Sequence, residues 1–502
     1  MRPNALMIIA ALALLSNAAY SADNLAGELS EYTSALRTEV SMENTVLTGS
    51  PQLIGVKIQA ENPFEMAMPV YLIRESSGEW EFVKFLGGLP ADSTTIIELE
   101  VEVRYEKQAR QKTHYAVVGR GGDGELYGSD FWVEEDWSGY ESEINRSLSG
   151  AIATYVPIIG TLLVLLISIV GYTAYSSRSP GIKEDEYTLT TLVFPKVAGR
   201  PFEEKLADVM INPVMLLAEL ACVSVLVALM FQGIEQGSGW ENALQVMLLS
   251  AVGSFTVPFF YFAAAWYFEK REEGKPLRFF AGIFVWGMFA ALLSLIISSS
   301  VASELKAFML ASYVIVATTV VSPMVEEIMK GLGVLFMSGH HEYNDTLTGL
   351  LLGFTCGAGF AFVENWFYFS TKANPFEIGL VSWGTLIVYR SLFNTLAHGC
   401  FTAAISTTIG YIRGVPKLRK FARLAFVPGV FLAVVIHSIF NISALADGFV
   451  VANREALFFV FNPMLIILLV AMFFLVLVTA VIDEKKRRVR QAAYESAQRQ
   501  AQ

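Results

Sequence analysis

Residues 322–330 read SPMVEEIMK and lie between the apolar runs FMLASYVIVATTVV and GLGVLFM. Two adjacent carboxylates and a lysine, Glu326, Glu327 and Lys330, therefore fall inside a stretch that otherwise suits a lipid environment. Three further apolar stretches carry groups of the same kind. GFAFVENWF holds Glu364 and Asn365, YRSLFNTLAHGCF holds Arg390 and His398, and VIHSIFN holds His437 and Asn441. An Asp, Arg or Lys near the centre of a membrane helix costs roughly 2.5–3.5 kcal/mol on insertion scales. Several together would cost on the order of 10–20 kcal/mol, against about 5–15 kcal/mol for the whole stability of a typical domain. Such groups persist only if they face one another.

Helical spacing gives them shared faces. Glu326 and Lys330 are four residues apart, which predicts a local ion pair. Arg390, Asn394, His398 and Thr402 recur every four residues as one polar stripe, and His437 and Asn441 repeat that spacing. Pro323, one turn before the glutamates, frees a backbone carbonyl and can kink the helix there. Gly353, Gly357 and Gly359 lower the bulk of the helix that carries Glu364 and allow close packing.

This set can hydrolyse a peptide bond, which needs a water, a base and a stabiliser of the oxyanion. One of Glu326 and Glu327 can serve as base while Lys330 keeps the other ionised. His398 and His437 can orient the water or stabilise the oxyanion, with Asn441 as a neutral donor. Zinc stays open as an alternative, because His398, His437 and Glu364 are a sufficient donor set with one position free. Lys330 and Arg390 already place two cations near the carboxylates, so a water activated by glutamate without a metal is the favoured expectation. Two non-hydrolytic readings use the same residues: buried ion pairs in a membrane scaffold or receptor, and a proton-coupled transporter, for which no inverted repeat is visible. Other intramembrane protease patterns do not fit. There is no HExxH and no GxGD, HHEYN at 340–344 has the wrong spacing, and GSGW at 237–240 makes no credible serine nucleophile.

The four motifs EEIMK, GFAFVEN, RSLFNTLAHGCFT and HSIFN, in this order over residues 322–441, resemble the PrsW family of intramembrane proteases. They resemble more distantly the CAAX-protease and bacteriocin-processing superfamily. Its more distant members carry an arginine near the first motif and a histidine in the second, where this chain has Lys330 and Glu364. The resemblance implies that Glu326, Glu327, Glu364, His398 and His437 carry the chemistry, with Lys330, Arg390, Asn365 and Asn441 in support. It also implies a membrane-anchored protein substrate, such as an anti-sigma factor.

The elements that must position these residues are membrane helices. Of the 502 residues, 54% are hydrophobic, and the mean hydropathy is +0.48. Apolar stretches long enough to span a bilayer occur near 152–175, 213–232, 242–267, 278–299, 307–336, 347–370, 380–410, 424–446 and 456–481, which predicts nine membrane helices. Arg2, the apolar run ALMIIAALALL and the small residues SNAAYSA read as a signal peptide over residues 1–21. An exported segment, 22–47, then leads to strands at 48–136. TIIELEVEVRY alternates as a half-buried strand, and VYLIRESSGEWEFVKF and HYAVVGRGGDGELYGSDFWV read as hairpins, together a small β-sandwich-like domain. A linker is expected at 137–150, the multi-pass domain at 151–482 with its protease-like core at 307–446, and a basic cytoplasmic tail at 483–502.

Residues 22–150 hold 23 acidic against 10 basic residues, which excludes nucleic acid as a partner of this region. The exported domain is expected to bind substrate or a signal. The three cysteines, Cys222, Cys356 and Cys400, all lie in apolar stretches and form no metal or disulfide pattern. Lys and Arg crowd the segments SSRSPGIK, EKREEGKPLR, YIRGVPKLRKFAR and DEKKRRVRQ, whereas the alternate loops carry almost none. The positive-inside rule then places residues 22–150 outside and the C terminus inside a bacterial cytoplasmic membrane.

Overall fold

The structure is a computed structural model. It describes residues 29, 32, 37–42, 52–62, 65, 67–76, 79–103, 110–121, 125–176, 201–272, 275, 277–309, 313–445 and 462–501. The expected signal peptide lies outside them.

The N-terminal region is two antiparallel sheets. Strands β1 (Arg37–Met42), β2 (Gln52–Asn62) and β5 (Ser93–Val103) form one, in the order β1-β2-β5. Strands β3 (Met68–Ser76), β4 (Glu79–Leu89), β6 (Arg110–Arg120) and β7 (Leu126–Asp136) form the other, in the order β4-β3-β6-β7. Both expected hairpins are present: Ser76 pairs with Glu79, and Arg120 with Leu126. Alternate residues supply the core. Val56, Ile58 and Ala60 of β2 are buried with Val70 and Leu72 of β3, Tyr115 and Val117 of β6, and Val133 of β7. On the other face of the four-stranded sheet, Ile73, Ala116 and Val118 are buried beneath Leu29. Strand β1 lies within the segment read from sequence as preceding the strands.

The linker expected at 137–150 is helix. Helix α1 (Ser138–Ser176) begins as soon as β7 ends. Asp136 accepts a hydrogen bond from the Ser138 backbone N–H at 3.0 Å, which caps the first turn. Trp137, Tyr140, Ile144 and Leu148 are all buried, and their spacing is one face of a helix.

Helix α2 (Phe202–Met210) is short. The longer helices that follow it are α3 (Pro213–Ser238), α4 (Trp240–Glu272), α5 (Leu277–Met309), α6 (Ser322–Met337), α7 (Thr346–Phe367), α8 (Leu380–Tyr389), α9 (Thr395–Gly414), α10 (Phe426–Leu445) and α11 (Asn462–Ala501). Among the described residues, seven helices are long and apolar enough to cross a membrane, not nine. The two expected spans that fail are 307–336 and 380–410, which carry Glu326, Glu327 and Lys330 and Arg390 and His398. The start of the first belongs to α5, and a π-helical turn, Ala317–Val321, then interrupts the helix just before α6. A second π-helical turn, Tyr368–Lys372, follows α7, and a third, Arg390–Asn394, separates α8 from α9. Such turns widen a helix by one residue and are frequent at functional sites.

Helix α7 is central and almost wholly buried. Its glycines set that packing. A Cβ on Gly357 would run into the backbone carbonyl of His398 in α9, and one on Gly359 into the carbonyl of Phe284 in α5. Bare backbone at these positions is what lets α9 bring His398 against α7.

Candidate active site

The first turns of α6 point its glutamates inward. Ser322 donates from Oγ to Glu326 Oε1 at 2.7 Å. Glu327 Oε1 receives two groups, Lys330 Nζ at 2.5 Å and His437 Nδ1 of α10 at 2.9 Å. Lys330 is fully buried and lies 4.2 Å from the centre of the Phe360 ring. Its ammonium also meets His398 Nδ1 at 3.0 Å. An ammonium only donates, so that nitrogen of His398 accepts and the imidazole carries its proton on Nε2. Nε2 is 2.7 Å from Glu364 Oε2, which completes a chain Glu327–Lys330–His398–Glu364 across three helices.

Glu364 is the hub of the second half. Arg390 Nη2 reaches its Oε1 at 3.0 Å, and Asn394 Nδ2 its Oε2 at 3.3 Å. Asn365 Oδ1 accepts from Arg390 Nε and Asn394 Nδ2, both at 3.1 Å. The Arg390 guanidinium lies over Tyr368, 4.0 Å from the ring centre. The rings of His398 and His437 meet edge to face with centres 5.1 Å apart, and Phe401 stacks on His437 at 4.7 Å.

The structure thus brings Glu326, Glu327, Lys330, His398 and His437 together, with Glu364, Asn365, Arg390 and Asn394 joined through His398. Two expectations change and one is extended. Lys330 makes the expected ion pair with Glu326 at 4.0 Å, but its closer partner is Glu327 at 2.5 Å. Asn441 is not aimed into the cluster: its Nδ2 donates to Thr318 O at 3.0 Å. Thr402 ends the stripe with a buried hydroxyl that has no hydrogen-bond partner. Sequence reading missed Ser322, although its spacing of four from Glu326 was legible, and the aromatic partners Phe360 and Tyr368, which carried no signal. It also missed Glu219 in α3, whose buried carboxylate oxygens have no hydrogen-bond partner.

The donor set that could hold a divalent ion is Glu326, His398 and His437, each offering one ligand atom, with all three atoms within 4.8 Å of one another. Glu364, assigned to that set from sequence, is instead engaged by Arg390, Asn394 and His398. Two imidazoles and a carboxylate are a zinc donor set, and Glu326 Oε2 is buried without a hydrogen-bond partner. His398 joins that set only when the Lys330 ammonium gives up the Nδ1 lone pair it now holds. Glu327 on His437 Nδ1 is the outer carboxylate that commonly orients a metal-bound imidazole. A second group of metal-donor type, Glu204 with His340 and His341, lies in the α2 helix and the turn after α6. There His341 Nδ1 meets Glu204 Oε1 at 2.6 Å, and His340 Nδ1 accepts the Glu342 amide, which ties up that ring's lone pair.

A polytopic helical protein with a buried cluster of carboxylates and imidazoles, entered by helices broken at π turns, has the makings of an intramembrane hydrolase. Residues 275–479 match the family model described as PrsW family intramembrane metalloprotease. The matched stretch contains every residue of the cluster and leaves the β region outside. No curated protein and no solved structure matched the chain.

Proposed function

We propose that the domain hydrolyses a peptide bond of a membrane-anchored protein, within or beside its span, with Glu326 as the base. The observation that carries this is that, among the described residues, Glu326 is hydrogen-bonded only by a neutral hydroxyl, Ser322 Oγ on its Oε1. Its Oε2 is buried, has no hydrogen-bond partner and stands 3.8 Å from His437 Nε2. Glu327 likewise keeps one buried oxygen, Oε2, without a hydrogen-bond partner, but its Oε1 is held by both Lys330 and His437. Both oxygens of Glu364 are taken by Arg390, Asn394 and His398, so these two carboxylates serve as orienting anions. A water between Glu326 Oε2 and His437 Nε2 gives its proton to Glu326 as its oxygen adds to the scissile carbonyl carbon. Lys330 lowers the energy of the negative charge that develops, in surroundings where water cannot screen it. Glu326 then passes the proton to the leaving amine as the C–N bond breaks.

The family description and the grouping of Glu326, His398 and His437 favour a second reading, in which these three hold a zinc ion. When bound, the ion would polarise the carbonyl and acidify the water. Metal analysis of the purified chain decides between the two. Water activation without a metal predicts cleavage with metal far below one equivalent, resistance to strong chelators, and loss of cleavage in Glu326→Gln while the protein still accumulates. About one zinc per chain, lost in both Glu326→Gln and His398→Ala, would establish the metal reading instead.

The N-terminal β region is proposed to meet the exported part of the substrate or a signal, and the chain to lie in a bacterial cytoplasmic membrane. The substrate proposed is a signalling protein of the anti-sigma factor kind. A scaffold or a transporter built on the same cluster predicts that function falls only as protein abundance falls, or that vesicles show proton-driven uptake.

A further inference from the structure

We infer that Asn441 is a positioning residue: it supplies α6 with the hydrogen bond that Pro323 cannot make, and so fastens the helix of His437 to the helix of the two glutamates. In the π-helical turn before α6, the Ser322 N–H reaches back five residues to Ala317 O. The next amide in that register belongs to residue 323 and would reach Thr318 O. Residue 323 is proline and has no N–H, so this carbonyl is left without its backbone donor. Inside a membrane, a backbone carbonyl freed by proline is re-satisfied by a neighbouring helix, a Ser or Thr side chain, or an ordered water. Asn441 Nδ2, from α10, is that donor at 3.0 Å.

The consequence for the cluster lies in the spacing. Asn441 is one turn beyond His437 on α10, and Glu326 and Glu327 are one turn beyond Pro323 on α6. The two helices are therefore joined twice at adjacent levels, by Asn441 on Thr318 O and by His437 Nδ1 on Glu327 Oε1 at 2.9 Å. The first joint fixes the rotation and height of α6 relative to α10, and the second inherits that alignment. The donor face of the Asn441 amide is thus engaged by backbone instead of facing the reacting atoms.

The test is a cycle of Asn441→Leu, Pro323→Ala and the double variant in the full chain. Each is measured for reversible unfolding in micelles and for cleavage of a panel of fluorescent single-span peptides. Only the second readout rests on the proteolytic reading. Misplacing reacting groups by about 1 Å costs on the order of 10²-fold, so Asn441→Leu should lower kcat by about that factor with KM little changed. Pro323→Ala gives residue 323 an amide that can serve Thr318 O, which makes Asn441 dispensable. The double variant should then cleave and resist unfolding within about threefold of Pro323→Ala alone, a departure from additivity expected only of groups that share a partner. Losses that simply add, in unfolding and in kcat, would overturn the inference. If the unaltered chain cuts none of the peptides, the proteolytic reading fails, and the unfolding cycle still decides whether Asn441 replaces the missing amide.

Discussion

Lys330 is a buried cation whose neighbours are two helix-mates and a histidine, and its removal separates structure from chemistry. Glu327 is as deeply buried as Lys330 and takes its ammonium at 2.5 Å. Removing one partner of a buried pair leaves an uncompensated charge and costs about 3–5 kcal/mol. Lys330→Met should therefore lower unfolding stability by about that amount, and adding Glu327→Gln should recover most of the loss without restoring cleavage. Equilibrium unfolding and peptide cleavage of the three variants check both statements. If the double variant is no more stable than Lys330→Met, the pair is not the main partner of either group. At this scale the sequence announced which residues mattered, because an ionisable group in an apolar run has no cheap explanation. It did not announce who pairs with whom. Spacing gave Lys330 its contact with Glu326, but not the closer one to Glu327, which is shared with His437 from a helix more than a hundred residues away.

The elements that hold these side chains are unusual in two ways, and only one was legible. The glycines of α7 could be read as places for close packing, and Gly357 meets the carbonyl of His398 itself. Backbone cannot yield as a flexible side chain can, so Gly357→Ala should cost about 1–3 kcal/mol from overpacking and push α9 outward. Gly160 in α1 has nothing within 4 Å of the place a methyl group would take, and serves as control. Gly160→Ala should be neutral or stabilising by up to about 1 kcal/mol. Unfolding measurements on the pair give the contrast, and equal effects would mean that α7 and α9 can separate freely. Cleavage by Gly357→Ala should fall further than its stability, because His398 moves with α9. The π-helical turns were not legible. Periodicity arguments assume a constant 3.6 residues per turn, and an inserted residue looks like a shift of face. Pro323 marked one turn as irregular, but nothing in YFSTK or RSLFN marked the other two.

At the scale of the whole molecule, strand β7 runs into helix α1 with one residue between them: that residue, Trp137, is fully buried, and Asp136 caps the helix. The β region therefore lies on the same side of the membrane as the start of α1. We propose that side from charge: four segments are rich in Lys and Arg, the stretches between them carry few, and such positive segments are retained in the cytoplasm. Fusions to the chain test the assignment. A reporter that works only outside the cytoplasm should be active when fused after Trp137, and one that works only inside should be active when fused after Arg488. The arrangement is internally constrained, because an odd number of crossings must separate the two points. Seven helices meet the length and hydropathy of a span among the described residues, and the two segments broken by π turns would raise that number to nine, so either count keeps the parity. Activity of both fusions on the same side would mean that just one of the broken segments fails to cross. Activity on the reversed sides would put the β region in the cytoplasm and remove its proposed role in meeting an exported substrate, while leaving the geometry of the Glu326 cluster untouched.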